Sequence, residues 1–168
     1  MTLSFITFVS IFLFVFFTIG FIVLLINNII VLKNIAKLNL QISKLTKITY
    51  KDIKISHSIT SGAKEYISIF NTADIYIFQD FIVILRVQNF ILKYYFNPII
   101  ISQNPVNTKE QFRHLSIFKP DKIFFYRGNE FKIDTNDPNY KNRKIKYQFK
   151  KLTDEQFEKL SRVKSWVE

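Results

Sequence analysis

His57 and His114 are the chain's two histidines, and neither has the neighbours that would make it a metal ligand or a general base. His57 lies inside an alternating apolar and polar run, His114 lies beside Arg113, and no H-E-x-x-H or other ligand spacing is present. A lone histidine in a strand is far more often packing or surface than a ligand. No G-x-S-x-G elbow presents a serine as nucleophile. Gly20, Gly62 and Gly128 stand apart, so no phosphate-cradling loop or dinucleotide fingerprint forms. Asp134, Asn136 and Asp137 have the acidic spacing that opens a Ca²⁺ loop, but the glycine and the closing glutamate are missing, and a polar hairpin fits better. The absence of cysteine removes disulfides, thiolate metal sites and thiol nucleophiles together, and it fits a reducing compartment. These residues point away from an enzyme and imply no cofactor and no metal.

The charge is more informative. Lys and Arg number 24 against 13 acidic residues, for a net charge of +11, and every charged side chain lies after Leu32. A basic body suggests anionic lipid headgroups or an acidic protein partner. With lysine greatly outnumbering arginine, a solvated lysine surface set by composition is the competing reading. Basic residues interleave with aromatics in Lys93-Tyr94-Tyr95-Phe96 and Lys146-Tyr147-Gln148-Phe149-Lys150, a pattern that can stack single-stranded nucleic acid. Strand alternation instead sends those aromatics to a core and the lysines to water, which disfavours nucleic acid.

The elements that position these residues begin with an anchor. From Leu3 to Leu32 no residue carries a formal charge, and 23 of the thirty are Leu, Ile, Val or Phe. About 20 apolar residues cross a bilayer as a helix, and the run exceeds the 7–15 residues or so of a signal-peptide core. Residues 1–32 are therefore expected to be a transmembrane anchor, crossing the cell membrane once. No Lys or Arg precedes it, whereas Lys33, Lys37, Lys44 and Lys47 follow, which places the N-terminus outside and the body in the cytoplasm. Residues 33–46 continue as a juxtamembrane helix. Val31, Ile35, Leu38, Ile42 and Leu45 repeat at heptad spacing along it. That seam either pairs with a second copy in a homodimer or packs on the chain's own body.

Residues 47–168 form the body, where the period changes to two. Strands are expected at Ile48 to Ile59 with a bulge at Asp52, Glu65 to Phe70, Asp74 to Phe78, Phe81 to Val87, Ile91 to Phe96, Ile99 to Ser102, Phe112 to Phe118, Lys122 to Tyr126, Phe131 to Asp134 and Ile145 to Phe149. Turns fall at Ser61-Gly62-Ala63, Gln79-Asp80, Lys119-Pro120-Asp121 and Arg127 to Glu130, and polar loops at Asn104 to Gln111 and Thr135 to Arg143. The chain then closes with a helix over 153–167. Thr153 and Gln156 make a capping box, Leu152 and Phe157 are placed for a hydrophobic staple, and Phe157, Leu160, Val163 and Val167 repeat at helical spacing.

The fold class that follows is an N-terminal transmembrane helix plus a mainly-β barrel of about seven or more antiparallel strands, capped by one amphipathic helix. The run Ala73-Asp74-Ile75-Tyr76-Ile77-Phe78-Gln79-Asp80-Phe81-Ile82-Val83-Ile84-Leu85 resembles the strand-turn-strand of bacterial pleckstrin-homology-like (PH-like) and GRAM-like domains. Trp166 is similar to the tryptophan late in the final helix of PH domains. The resemblance covers about Lys47 to Glu168 and implies a binding or scaffolding barrel whose helix plugs one end. It also implies that basic residues between the first strands meet lipid headgroups. Here those are Lys51, Lys54 and Lys64, without an arginine or a dense basic cluster. The expected function is a membrane-anchored, non-enzymatic binding module. A structural subunit of a membrane complex and an enzyme of unrecognised type are the alternatives.

Overall fold

One helix, α1 (Thr2–Ile42), runs without a break through the expected anchor and on to Ile42, so the helix expected over residues 33–46 ends four residues early. The structure is a computed structural model and describes residues 2–61, 64–68, 72–89, 93–137, 140 and 142–167. At about 1.5 Å per residue α1 is roughly 60 Å long, and it is long and apolar enough to cross a membrane. Its apolar side chains stand bare from Phe5 to Ile30, with Phe14 72% and Phe17 69% exposed. Side chains that apolar cannot be left in water over such a length, so a lipid or protein surround is required.

Below Ile30 the same helix acquires a buried stripe. Val31 and Ile35 pack with Leu85, while Leu38 and Ile42, both fully buried, pack with Phe78, Phe81, Val83, Ile100 and Phe112. The heptad seam is thus filled by the chain's own body, the second of its two possible uses. Its last member, Leu45, falls beyond the helix in a turn whose N–H donates to Ile42 O, and it is exposed. Asn34 Nδ2 donates to Asn97 Oδ1 at 3.1 Å and Gln41 Nε2 to Gln111 O at 2.8 Å, which fixes the docked segment at both ends.

The body strands are β1 (Ile48–Ser61), β2 (Lys64–Ser68), β3 (Thr72–Ile77), β4 (Phe81–Asn89), β5 (Lys93–Tyr95), β6 (Ile99–Ser102), β7 (Ser116–Phe118), β8 (Pro120–Tyr126), β9 (Glu130–Asn136) and β10 (Arg143–Lys150). Their path is β7-β6-β4-β3-β1-β10-β9-β8, with β2 beside β1 and β5 beside β4. The two ends of the path, β7 and β8, are separated in sequence by Lys119 alone, so the sheet is a nearly closed barrel. Its hinge is β1. Residues Ile48 to Ile53 pair with β3, and Lys54 to Ser61 pair with β10 and β2. The register shifts between Tyr50 and Ile53, as expected for a bulge at Asp52. Asp52 takes φ of 55° and its N–H donates to Asp74 Oδ1 at 3.1 Å. A bulge bends and twists a strand, which lets one strand serve both halves of the barrel.

Alternation decides what each half buries. Ile75, Ile77, Ile82, Ile84, Ile99 and Ile101 point into the barrel with Phe131, Ile133, Tyr147 and Phe149. On β3, β4 and β6 the opposite face is covered as well, by α1. Burial on both faces explains why Phe81-Ile82-Val83-Ile84-Leu85 and Ile99-Ile100-Ile101 are unbroken apolar runs. Because Leu85 meets Val31 and Ile35 while Phe81 meets Leu38 and Ile42, β4 runs back toward the bare apolar segment. The β3–β4 turn at Phe78-Gln79 is the end turned away from it.

Several expectations need correction. The segment expected as a polar loop at Asn104 to Gln111 is helix α2 (Pro105–Gln111), with Asn104 capping Asn107 N and Pro105 at its start. The long strand expected from Phe112 shrinks to β7, because Phe112 closes α2 by donating its N–H to Thr108 O and buries its ring against Phe81 at 5.4 Å. With α2 as crossover, β7 pairs with β6 in parallel, so the barrel is mixed and not all antiparallel. Pro120 begins β8 and does not sit in a turn, and β9 continues to Asn136. The closing helix α3 (Asp154–Ser161) carries the expected capping box and tightens to a 3-10 helix over Arg162–Trp166. Expectations at residues 62–63, 69–70, 91–92, 138–139 and 141 lie outside the described residues.

The docked stripe should carry much of the stability. Replacing fully buried Leu38 by Ala should cost about 2–5 kcal/mol, whereas Leu40→Ala, at a position 75% exposed, should change the melting midpoint little. Equal effects at both sites would contradict the docking. A chain lacking residues 1–46 would bare Phe81, Val83, Ile100 and Phe112 and should aggregate in light scattering, whereas one starting at Asn28 should remain soluble. A monodisperse, natively folded 47–168 fragment would overturn this.

Candidate binding surfaces

The three lysines nominated from sequence are all exposed but do not form one cluster. Lys51 and Lys54 flank the Asp52 bulge. Lys64 pairs with Ser61 at the far end of β1, seven residues beyond Lys54, or roughly 23 Å at about 3.3 Å per residue. Lys54's cross-strand neighbour is instead Lys150, a cation that reading along the sequence could not bring beside it.

Lys150 belongs to a larger feature, the outer face of β10 and β9. A shallow groove of about 450 Å³ lies there, lined by Lys132, Lys146, Lys150, Ser58, Glu65 and Tyr126 among others. Much of its charge is already compensated. Lys146 Nζ lies 3.3 Å from Glu65 Oε1, and Lys132 Nζ lies 3.2 Å from Asp134 Oδ1 and 4.8 Å from the centre of the Phe124 ring. The hydrogen bond from Ser58 and the Lys146 ammonium hold the Glu65 carboxyl below its ordinary value. The aromatics interleaved with this lysine ladder, Tyr147 and Phe149, are buried in the barrel. Alternation therefore separates them from the lysines, as the sequence indicates, and leaves Phe124 and Tyr126 of β8 as the exposed rings on this side.

Inside the barrel a polar group interrupts the isoleucine lining. His57 is 6% exposed and stacks on Tyr147 with ring centres 5.4 Å apart. Arg86 shares the inward face of β4 with Ile82 and Ile84. It donates to Asn97 O at 3.2 Å and lies over the Phe96 ring at 5.4 Å. Asn97 is also the residue that receives Asn34 of α1, so a run of contacts leads from the helix to the barrel interior. Burial, together with the positive charges of Arg86 and Arg143, pushes His57 down to about 4. Burial pushes the Tyr147 hydroxyl well above its usual range. Near neutrality the imidazole is therefore uncharged and the phenol keeps its proton, so neither ring brings a charge into the barrel. Among the described residues no three His, Asp or Glu side chains gather as a metal site.

No protein-family model, curated protein or solved structure matches the chain. What the structure shows is the coarser architecture, a single apolar N-terminal helix followed by a nearly closed mixed barrel with a C-terminal helix.

The depressed His57 fixes the sign of a pH effect. The unfolded chain binds this proton near 6.5 and the folded chain only near 4. The stabilising effect of neutral His57 is complete above about pH 6.5 and is lost as pH falls toward 4, by up to about 3 kcal/mol. The melting midpoint should drop across that window, and His57→Phe should flatten the drop. An unchanged slope in the variant would rule out His57 as its source.

Proposed function

We propose that the chain is a membrane-anchored binding and scaffolding module without enzymatic activity, crossing once with its N-terminus outside and holding the barrel at the cytoplasmic face. The observation that carries this is the continuity of α1: one helix is bare and apolar to Ile30 and docked on the sheet from Val31 onward. No linker intervenes, so the body is held against the membrane surface at a set orientation. Lys33, Lys37 and Lys44 on the body side supply the positive flank that stays in the cytoplasm. Around the His57, Arg86 and Tyr147 cluster the barrel centre is filled mainly by isoleucine and phenylalanine, which favours recognition at outer surfaces over chemistry within.

Because the chain has no cysteine, single introduced thiols report topology without background. Val106, 70% exposed on the body, changed to Cys should react with a membrane-impermeant maleimide only after cells are permeabilised. Thr2→Cys should react in intact cells. The reverse pattern would overturn the orientation, and labelling of both in intact cells would overturn the single crossing.

A further inference from the structure

A second groove, of about 460 Å³, lies where the chain leaves α1 and the 3-10 turn crosses the ends of β1 and β3. Its floor is apolar, formed by Ile48, Ile77, Val163 and Trp166, and Lys47, Lys159 and Arg162 stand around it. No carboxylate lines it, and none of the three cations forms an ion pair among the described residues. Glu155 and Glu158, each four residues before one of the cations Lys159 and Arg162, lie outside the lining, and Glu155 accepts from the Tyr50 hydroxyl at 3.4 Å. The β10–β9 groove differs in that two of its three lysines, Lys132 and Lys146, are paired with Asp134 and Glu65, while Lys150 is not in an ion pair among the described residues.

Resting on the reading of the body as a cytoplasmic docking module, we propose that this groove is its docking site for an acidic protein segment carrying an aromatic or branched apolar side chain. The apolar side chain would enter over Trp166 and Val163 while flanking carboxylates meet Lys47, Lys159 and Arg162. Charge complementarity sets the sign of the partner, and position sets its class. The groove adjoins Phe78-Gln79, the end of the body turned away from the apolar segment. Ile42 lies eleven residues beyond Val31 along the docked helix, roughly 17 Å of axis. That is about twice the ~8 Å screening length at physiological salt, so the chain's own bilayer exerts little pull on these cations. A soluble partner reaches them without competing with headgroups.

Trp166 is the only tryptophan in the chain, so its emission reports occupancy of the groove in the intact protein. The experiment uses the full chain in nanodiscs and a panel of tryptophan-free twelve-residue peptides. The panel comprises acidic peptides containing Phe or Leu, acidic peptides with neither, and basic peptides with the same apolar residues. Saturable changes in Trp166 emission are expected with the acidic apolar peptides alone. Lys159→Glu with Arg162→Glu should weaken them at least tenfold. Lys122→Glu with Lys144→Glu, an equal change of net charge at exposed sites outside the groove, should weaken them less than threefold. All three proteins should melt alike. The proposal is overturned if no acidic apolar peptide in the panel saturates, if both double variants lose binding equally, or if Trp166 responds to anionic lipid in the nanodisc in place of peptide. None of these outcomes bears on the orientation of the body, which thiol labelling reads independently.

Discussion

The burial of Leu38 and Ile42 against the outer face of β3, β4 and β6 is the contact on which the rest of the structure depends. A barrel strand normally has one dry face. Here three strands have two, and the second is dry only because the helix leaving the apolar segment lies across it. Each fully buried aliphatic side chain contributes roughly 1.5–3 kcal/mol. Leu38 and Ile42 contribute on that scale, and the almost fully buried Val31 and Ile35 add to it, against the cost of holding about three turns of helix in place. The consequence is mechanical as well as energetic, because the body cannot swing on a flexible tether without uncovering Phe81, Val83 and Ile100.

The opposite half of the barrel is built differently. There β10 and β9 alternate, with Ile145, Tyr147 and Phe149 inside and Lys144, Lys146 and Lys150 outside, and β8 joins them with a register shift between Pro120 and Lys122. Its closure relies on the α3 segment, tied in at both ends. Asn129, in the left-handed region with φ of 56°, accepts from Leu152 N and donates its side-chain amide to Asp154 at 2.6 Å. At the far end Trp166 fills the space beside Ile77. The gap left between this plug and the start of β1 is the cationic groove. The groove thus results from closing a barrel with a short helix and a 3-10 turn.

The parts legible in the sequence were those with a local cause. The long apolar helix announced itself by length and lack of charge, the Asp52 bulge by a slipped alternation, and α3 by its capping box. Helix α2 carried a signal that hydrophilicity obscured, since Asn104-Pro105 is a cap followed by proline at the first helical position. The triple isoleucine at 99–101 signalled burial on two faces, but not which element supplied the second cover. Whether the heptad seam met a second copy or the chain's own sheet is a tertiary matter that its spacing cannot decide. The same holds for the groove. Lys47 and Arg162 are 115 positions apart in sequence, and only the barrel's closure makes them neighbours. The nominated trio of Lys51, Lys54 and Lys64 looked close for the converse reason, because proximity in sequence along an extended strand amounts to distance in space.

The most direct test of this account is amide hydrogen exchange over residues 33–42 in the full chain reconstituted in nanodiscs. If the helix is docked as described, the amides around Leu38 and Ile42 exchange as slowly as those of β4, because they open only with the barrel itself. Exchange at the rate of an isolated, solvated helix, with β4 still protected, would show that the segment is a free stalk and would contradict the fixed orientation of the body.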